Sequence, residues 1–144
     1  MENTDQIDLT SLFNEIKNVI NNKNLLLECE NDINFIGRRS ALKRSFQNVI
    51  QNGLTYGKSV NVKVQKSNNR VIIFIEDDGP GIPEDQYKNV FKPFFRLDKS
   101  RSLNQSGVGL GMSISEDIIK SHGGNILLST SKRGGLQVKI SLPF

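Results

Sequence analysis

Two hydrophobic periods alternate along the chain, and the places where one gives way to the other outline its elements. Leu9, Leu12, Phe13, Ile16, Val19 and Ile20 recur at helical spacing behind Asp8, whose carboxylate can cap a first turn. Asn21-Asn22-Lys23-Asn24 ends that helix, Leu25 to Cys29 predicts a short strand, and Asn34-Phe35-Ile36 a second before Gly37. A longer helix is predicted over 40–54, with Leu42, Phe46, Val49, Ile50 and Gly53 on one stripe. Val60, Val62 and Val64 alternate with Asn61, Lys63 and Gln65, as in a half-buried strand. Ser67-Asn68-Asn69 turns this into Val71-Ile72-Ile73-Phe74-Ile75, an apolar run that reads as a fully buried strand over 70–76, antiparallel to the one before.

Beyond that strand the pattern loosens. A short helical segment near 84–90 precedes a basic stretch, 91–111, with little periodicity; it is too long for an ordinary connection and reads as a functional lid. Met112, Ile114, Ile118 and Ile119 predict the inward face of a helix ended by Gly123-Gly124. Ile126 to Ser129, the turn Gly134-Gly135, and Leu136, Val138, Ile140 and Leu142 predict a closing hairpin. Residues 1–7 read as a flexible lead-in. The sum is a single α+β domain over 1–144, a two-layer α/β sandwich with helices on one face of a mixed, mostly antiparallel sheet.

Composition narrows this only slightly. The 144 residues are enough to bury a core, and 36% hydrophobic with 24% charged residues is ordinary for a soluble protein. A net charge of +4 suits an anionic ligand such as a nucleotide without itself indicating nucleic acid. Cys29 is the only cysteine, so no internal disulfide forms and a reducing, cytoplasmic compartment is expected. No apolar run is long enough to span a bilayer, and the polar start Met1-Glu2-Asn3-Thr4-Asp5 is no signal peptide, so no direct membrane contact is expected.

The candidate chemistry centres on Glu76-Asp77-Asp78-Gly79-Pro80-Gly81-Ile82-Pro83. A buried strand that stops on two acids and Gly-Pro-Gly can deliver a fixed carboxylate beside bare backbone; the same residues also suit an ordinary acidic turn. Gly53-Leu54-Thr55-Tyr56-Gly57-Lys58-Ser59 is one residue short of a phosphate-binding P-loop and follows a helix instead of a strand. Gly107-Val108-Gly109-Leu110-Gly111 opens onto a helix and follows Arg96, Lys99 and Arg101, an arrangement that offers N–H groups and a helix dipole to an anion. Asn48 and Asn52 share one helix flank, either as solvated polar residues or as oxygen donors near Mg²⁺. His122, the single histidine, suits packing or capping at a helix end rather than catalysis.

Asn48-x-x-x-Asn52, Asp77-x-Gly79-x-Gly81, Phe91-Lys92-Pro93-Phe94-Phe95-Arg96 and Gly107-x-Gly109-x-Gly111, in that order, resemble the N, G1, F and G2 boxes of sensor histidine kinases. The resemblance runs from about Asp8 to Pro143. Asp77-Asp78-Gly79-Pro80-Gly81-Ile82 and Arg133-Gly134-Gly135-Leu136 are most similar to the EnvZ-like osmosensor branch. It implies a Bergerat-type ATP-binding fold and the cofactors ATP and Mg²⁺. Asp77 would accept a hydrogen bond from the adenine amino group, with Gly79 and Gly81 letting the base lie close and Tyr56 lining its pocket. Asn52 would bind Mg²⁺ and Asn48 would support the metal and phosphates. Phe94 and Arg96 would belong to the lid, Arg96 and Arg101 meeting phosphate charge, while Gly107, Gly109 and Gly111 wrap the phosphates.

Two positions depart from the family pattern. Thr55 stands where a basic residue is usual, with Lys58 the nearest substitute, and Gly53 stands where Ala is common, which weakens the helix end. Weaker nucleotide affinity than in a typical member is therefore expected. The wider superfamily, including gyrase, MutL-type ATPases and anti-sigma serine kinases, generally has a Glu base at the place of Asn48. An amide cannot take a proton, which favours phosphoryl transfer over hydrolysis. The His-Glu-x-x-x-Pro phosphoacceptor motif is missing, so the chain reads as the catalytic half alone. Its implied partners are a histidine-bearing dimerisation domain and a response regulator; the isolated domain is expected to be monomeric. An anti-sigma-type serine kinase and a nucleotide-binding module without turnover are the alternatives. Nucleic-acid binding through Arg38, Arg39, Lys43 and Arg44 lacks aromatic interleaving.

Overall fold

A computed structural model describes residues 3–92 and 111–144. Five strands form one mixed sheet: β2 (Leu25–Cys29), β4 (Val60–Ser67), β5 (Arg70–Asp77), β6 (Asn125–Thr130) and β7 (Leu136–Pro143). Their order is β2-β4-β5-β7-β6; β2 runs parallel to β4 and every other neighbour is antiparallel. Helices α1 (Leu9–Ile20), α2 (Arg39–Tyr56) and α3 (Gly111–Ser121) pack in that order across the sheet, α1 against β2, α2 against β4 and β5, and α3 against β6. This is the mixed two-layer arrangement expected from the patterning.

Register explains where the core lies. Val60, Val62 and Val64 sit opposite Asp77, Ile75 and Ile73, and the latter two sit opposite Val138 and Ile140. Side chains alternate between the faces of a strand, so these residues form continuous rows under the helices. Leu42, Phe46, Val49 and Ile50 of α2 close over them, with Phe46 stacked 4.8 Å from Phe13 of α1. On α1, Asp8 caps through Thr10 N–H at 3.0 Å and Ser11 N–H at 3.4 Å, and Asn21 ends the helix in the left-handed region at φ 51°.

Several expectations need correction. The N-terminal segment is not loose: β1 (Asp5–Asp8) pairs antiparallel with β3 (Asn34–Gly37), burying Ile7 opposite Phe35. One apolar residue among polar neighbours carries no strand signal; its partner, 28 positions later, supplies it. The strand β5 is not equally buried on both faces, since Phe74 is half-buried with Lys139 Nζ over its ring at 5.9 Å. The segment near 84–90 forms two 3₁₀ turns, Glu84–Gln86 and Asn89–Phe91, rather than one helix.

On α3, Met112 and Ile119 are buried as expected, but Ile114 and Ile118 are half-buried and Ser113 and Ser115 go inward. Ser115 is accommodated by reciprocal bonds: its hydroxyl donates to Ser45 O at 3.0 Å, and the Ser45 hydroxyl donates to Ser115 O at 3.2 Å. Small hydroxyls that satisfy each other's backbone let α2 and α3 approach closely without stranding a polar group. Val19, on the flank of the α1 stripe, is exposed. His122 packs, as expected: Nε2 accepts from Arg38 N–H at 3.1 Å, with Nδ1 2.8 Å from Ile118 O, tying the end of α3 to the start of α2.

Candidate functional site

The inward face of β5 reads Val71, Ile73, Ile75, Asp77. Asp77 therefore takes the last place in an apolar row and is carried under α2 with only 8% of its surface exposed. Asp78, one residue on, falls on the other side of the strand by the same alternation. Two backbone donors hold Asp77 Oδ1: Gly79 N–H at 2.9 Å and Leu136 N–H at 3.2 Å. Its other oxygen, Oδ2, accepts no hydrogen bond among the described residues. Burial pushes the Asp77 carboxyl above its ordinary range and the Asp78 charge adds to this, outweighing the two N–H bonds and the Arg133 charge.

Close backbone approach surrounds this acid. A Cβ on Gly79 would stand 2.7 Å from Tyr56 O, and one on Gly135 would lie inside van der Waals contact of Asp77 Oδ1. Gly81 is in the left-handed region at φ 75°. The glycines of the turn thus have a packing reason independent of any ligand. Gly53 has one too: a Cβ there would stand 2.8 Å from Val60 Cγ2 and 3.6 Å from Asp77 Oδ2. Ala at this position would gain about 1 kcal/mol of helix propensity but incur roughly 1–3 kcal/mol of overpacking, so glycine suits the site and is not a simple weakness.

The expected site residues on α2 line one side of the helix. Asn48 and Asn52 are half-buried and neither amide has a hydrogen-bond partner among the described residues. Asn52 precedes Gly53, which faces Asp77. Asn48 lies by the first residue of α3, since a Cβ on Gly111 would be 3.9 Å from Asn48 Cβ. Tyr56 ends α2 beside Gly79. The structure thus brings Asn48 to Gly111, Asn52 to the neighbourhood of Asp77, and Tyr56 to the turn holding Gly79 and Gly81. Phe94, Arg96, Arg101, Gly107 and Gly109, and most of the stretch 91–111, lie outside the described residues. Thr55 is exposed with its hydroxyl donating to Gln51 O at 2.9 Å, and Lys58 is exposed.

Periodicity does not reveal the partners of Asp78. Its Oδ1 accepts from Lys58 N–H at 2.7 Å and Ser59 N–H at 2.9 Å, and Oδ2 accepts from the Ser59 hydroxyl at 3.1 Å. These bonds, with Ser59 N–H foremost, hold its carboxyl below the ordinary range. Arg133 reaches the same group, donating to Ser59 Oγ and lying 3.7 Å from Asp78 Oδ2.

A buried carboxylate with one oxygen pinned by backbone and the other unengaged among the described residues is a fixed acceptor for a ligand N–H. Two amide oxygens on the adjacent helix face, unpartnered among the described residues, suit a hard cation that keeps most of its waters. No group of three or more His, Cys, Asp or Glu side chains able to hold a metal occurs among the described residues. The residues present fit an adenine nucleotide with Mg²⁺. A helical layer over a mixed sheet, bearing this acid at a strand end, is the architecture of a nucleotide-binding sandwich.

Residues 37–144 match the family model described as histidine kinase-, DNA gyrase B-, and HSP90-like ATPase, and the chain belongs to that family. Its relatives there are sensor histidine kinases, and the chain is similar to their catalytic, ATP-binding part. It is 37% identical over 107 residues to the sensor histidine kinase GtrS of Pseudomonas aeruginosa, covering 74% of this chain and 22% of that protein. The structure of the histidine kinase domain of the E. coli osmosensor EnvZ matches at 30% identity and TM-score 0.70, covering 96% of this chain and 88% of that one. Full-length ShkA in complex with AMPPNP has the same fold, at 18% identity and TM-score 0.83, covering 100% of this chain and 32% of that one. The chain spans about a quarter of the length of the curated relatives it matches. No helix among the described residues is long and apolar enough to cross a membrane.

Proposed function

We propose that this domain binds Mg-ATP and donates the γ-phosphate to a histidine on a separate dimerisation domain of a two-component sensor kinase, which then serves a response regulator. The observation that carries the reading is Asp77, a desolvated carboxylate with one oxygen held by two backbone N–H groups and the other free to accept from an adenine amino group. Tyr56 and the backbone of Gly79 and Gly81 form the surroundings of the base. Asn52 supplies an amide oxygen for Mg²⁺. Asn48, beside the start of α3, orients the phosphate region together with Gly107, Gly109 and Gly111. Arg96 and Arg101 would meet phosphate charge, and Phe94 would belong to the lid. Held at Asn52, Mg²⁺ would supply positive charge against the phosphate negative charge during transfer.

Asn48 also bears on the reaction type. Where a carboxylate at this place would activate water, the amide only orients, so the acceptor's own base activates the nucleophile and hydrolysis is slow. The domain with γ-labelled ATP and a separately made dimerisation domain is expected to label histidine in trans, and to label nothing when alone. Tight nucleotide binding without transfer to that partner would instead make it a binding module, and acid-stable label on a serine would make it a serine kinase.

A further inference from the structure

We propose that Asp78, Ser59 and Arg133 are positioning residues that hold Asp77 in place for reading the nucleotide base. The proposal rests on the base-reading role given to Asp77 above. It begins from the fact that Asp77 is held by donors from two distant segments. Gly79 belongs to its own turn, but Leu136 opens β7, so Oδ1 keeps its second bond only while the β6–β7 turn, 131–135, stays seated against the end of β5.

Within that turn, backbone bonds from Ser131 N–H to Gly135 O at 2.7 Å and Gly134 N–H to Ser131 O at 3.0 Å fix its own shape but not its seat. The β5–β7 pairing, which runs up to Glu76 opposite Gln137, sets the base of that seat, and Arg133 ties down the turn beyond it. Its Nη2 donates to Ser59 Oγ and faces Asp78 Oδ2, while the Ser59 hydroxyl donates to that same oxygen. Asp78 Oδ1 meanwhile takes the N–H groups of Lys58 and Ser59. One carboxylate thereby joins three segments: the α2–β4 connection, the β5 turn and the β6–β7 turn.

The joint is under steric as well as polar constraint. A Cβ on Gly57 would stand 2.8 Å from Asp78 Oδ1, and one on Gly81 3.4 Å from Gly134 O. Arg133 Nη1 is shut from solvent with no hydrogen-bond partner among the described residues. The other side of the guanidinium, through Nη2, reaches Ser59 Oγ and Asp78 Oδ2, so the carboxylate and hydroxyl fix how it lies. The two acids of Asp77-Asp78 therefore divide the work. The inward one faces the base, and the outward one fastens the loops that aim it.

The test compares binding of ATP with that of inosine triphosphate, which has a carbonyl where adenine has its amino group. Wild type is expected to prefer ATP. Arg133→Met and Ser59→Ala are expected to lose about tenfold in ATP affinity, the worth of one misaligned hydrogen bond to a charged group, while binding of inosine triphosphate stays within about twofold. Arg133→Lys should recover part of the preference. Ser59→Ala removes a single hydroxyl and keeps the test open should Arg133→Met fail to fold. If both nucleotides weaken equally, or the preference survives in both variants while Asp77→Asn abolishes it, the brace is overturned and the base-reading role stands. A wild type that does not distinguish the nucleotides overturns both.

Discussion

Replacing Asp77 with Asn isolates the central interaction, because geometry dictates how the amide must sit. Oδ1 faces two N–H donors, at 2.9 and 3.2 Å, so the oxygen of the substituted amide must take that place and its NH₂ group must occupy the position of Oδ2. A donor then confronts the adenine amino group in place of an acceptor. A hydrogen bond to a charged group contributes about 1.5–3 kcal/mol, which corresponds to roughly 10- to 150-fold weaker Mg-ATP binding.

Stability should move the other way. Burial raises the folded-state pKa of Asp77, so the ionised acid opposes folding at neutral pH, and that penalty disappears as pH falls through the raised value. Asp77→Asn should therefore melt at or above the wild-type temperature at pH 7, with the gap closing in acid. Calorimetric titration with Mg-ATP, paired with thermal melts at several pH values, measures both. Unchanged affinity in the folded variant would refute the reasoning.

An ion pair and a tight glycine contact give two more tests. Glu15 is bridged by Arg39 at 2.5 Å and Lys43 at 2.8 Å, which lower its pKa from 4.5 to about 2. Its contribution to stability is complete above the unfolded value and is lost as pH falls towards 2, so urea midpoints of wild type and Glu15→Gln should differ at neutral pH and converge across that window. Gly135→Ala would drive a Cβ into the Asp77 carboxylate and backbone, and should cost about 1–3 kcal/mol in urea unfolding together with ATP affinity; wild-type values for both would contradict the packing.

Much of this protein can be read without coordinates. Local pattern suffices to find the three helices and all five strands of the main sheet: helical spacing or strict alternation marks α1, α2, β4 and β7, and short apolar runs bounded by turn residues mark β2, β5 and β6. The motif order points to the family, and its spacing singles out Asp77 over Asp78; that Asp77 faces inward is decided by the structure, since the unbroken apolar run 71–75 shows no alternation. The elements, the layer arrangement and the acid to examine are therefore written in the chain itself.

Long-range packing settles what local pattern cannot carry. Strand β1 exists because Ile7 meets Phe35, and Ser115 is buried because Ser45 satisfies it across the helix pair. Gly53 leaves room for the Val60 side chain, a reason for glycine that helix propensity does not contain. The bonds that make Asp77 a fixed acceptor join it to Leu136, 59 positions away, through a turn fastened by Arg133 to Ser59 and Asp78. Period and propensity are properties of neighbours in the chain. The partners of a buried charge are set by which distant segments the packed sheet and helices bring to it.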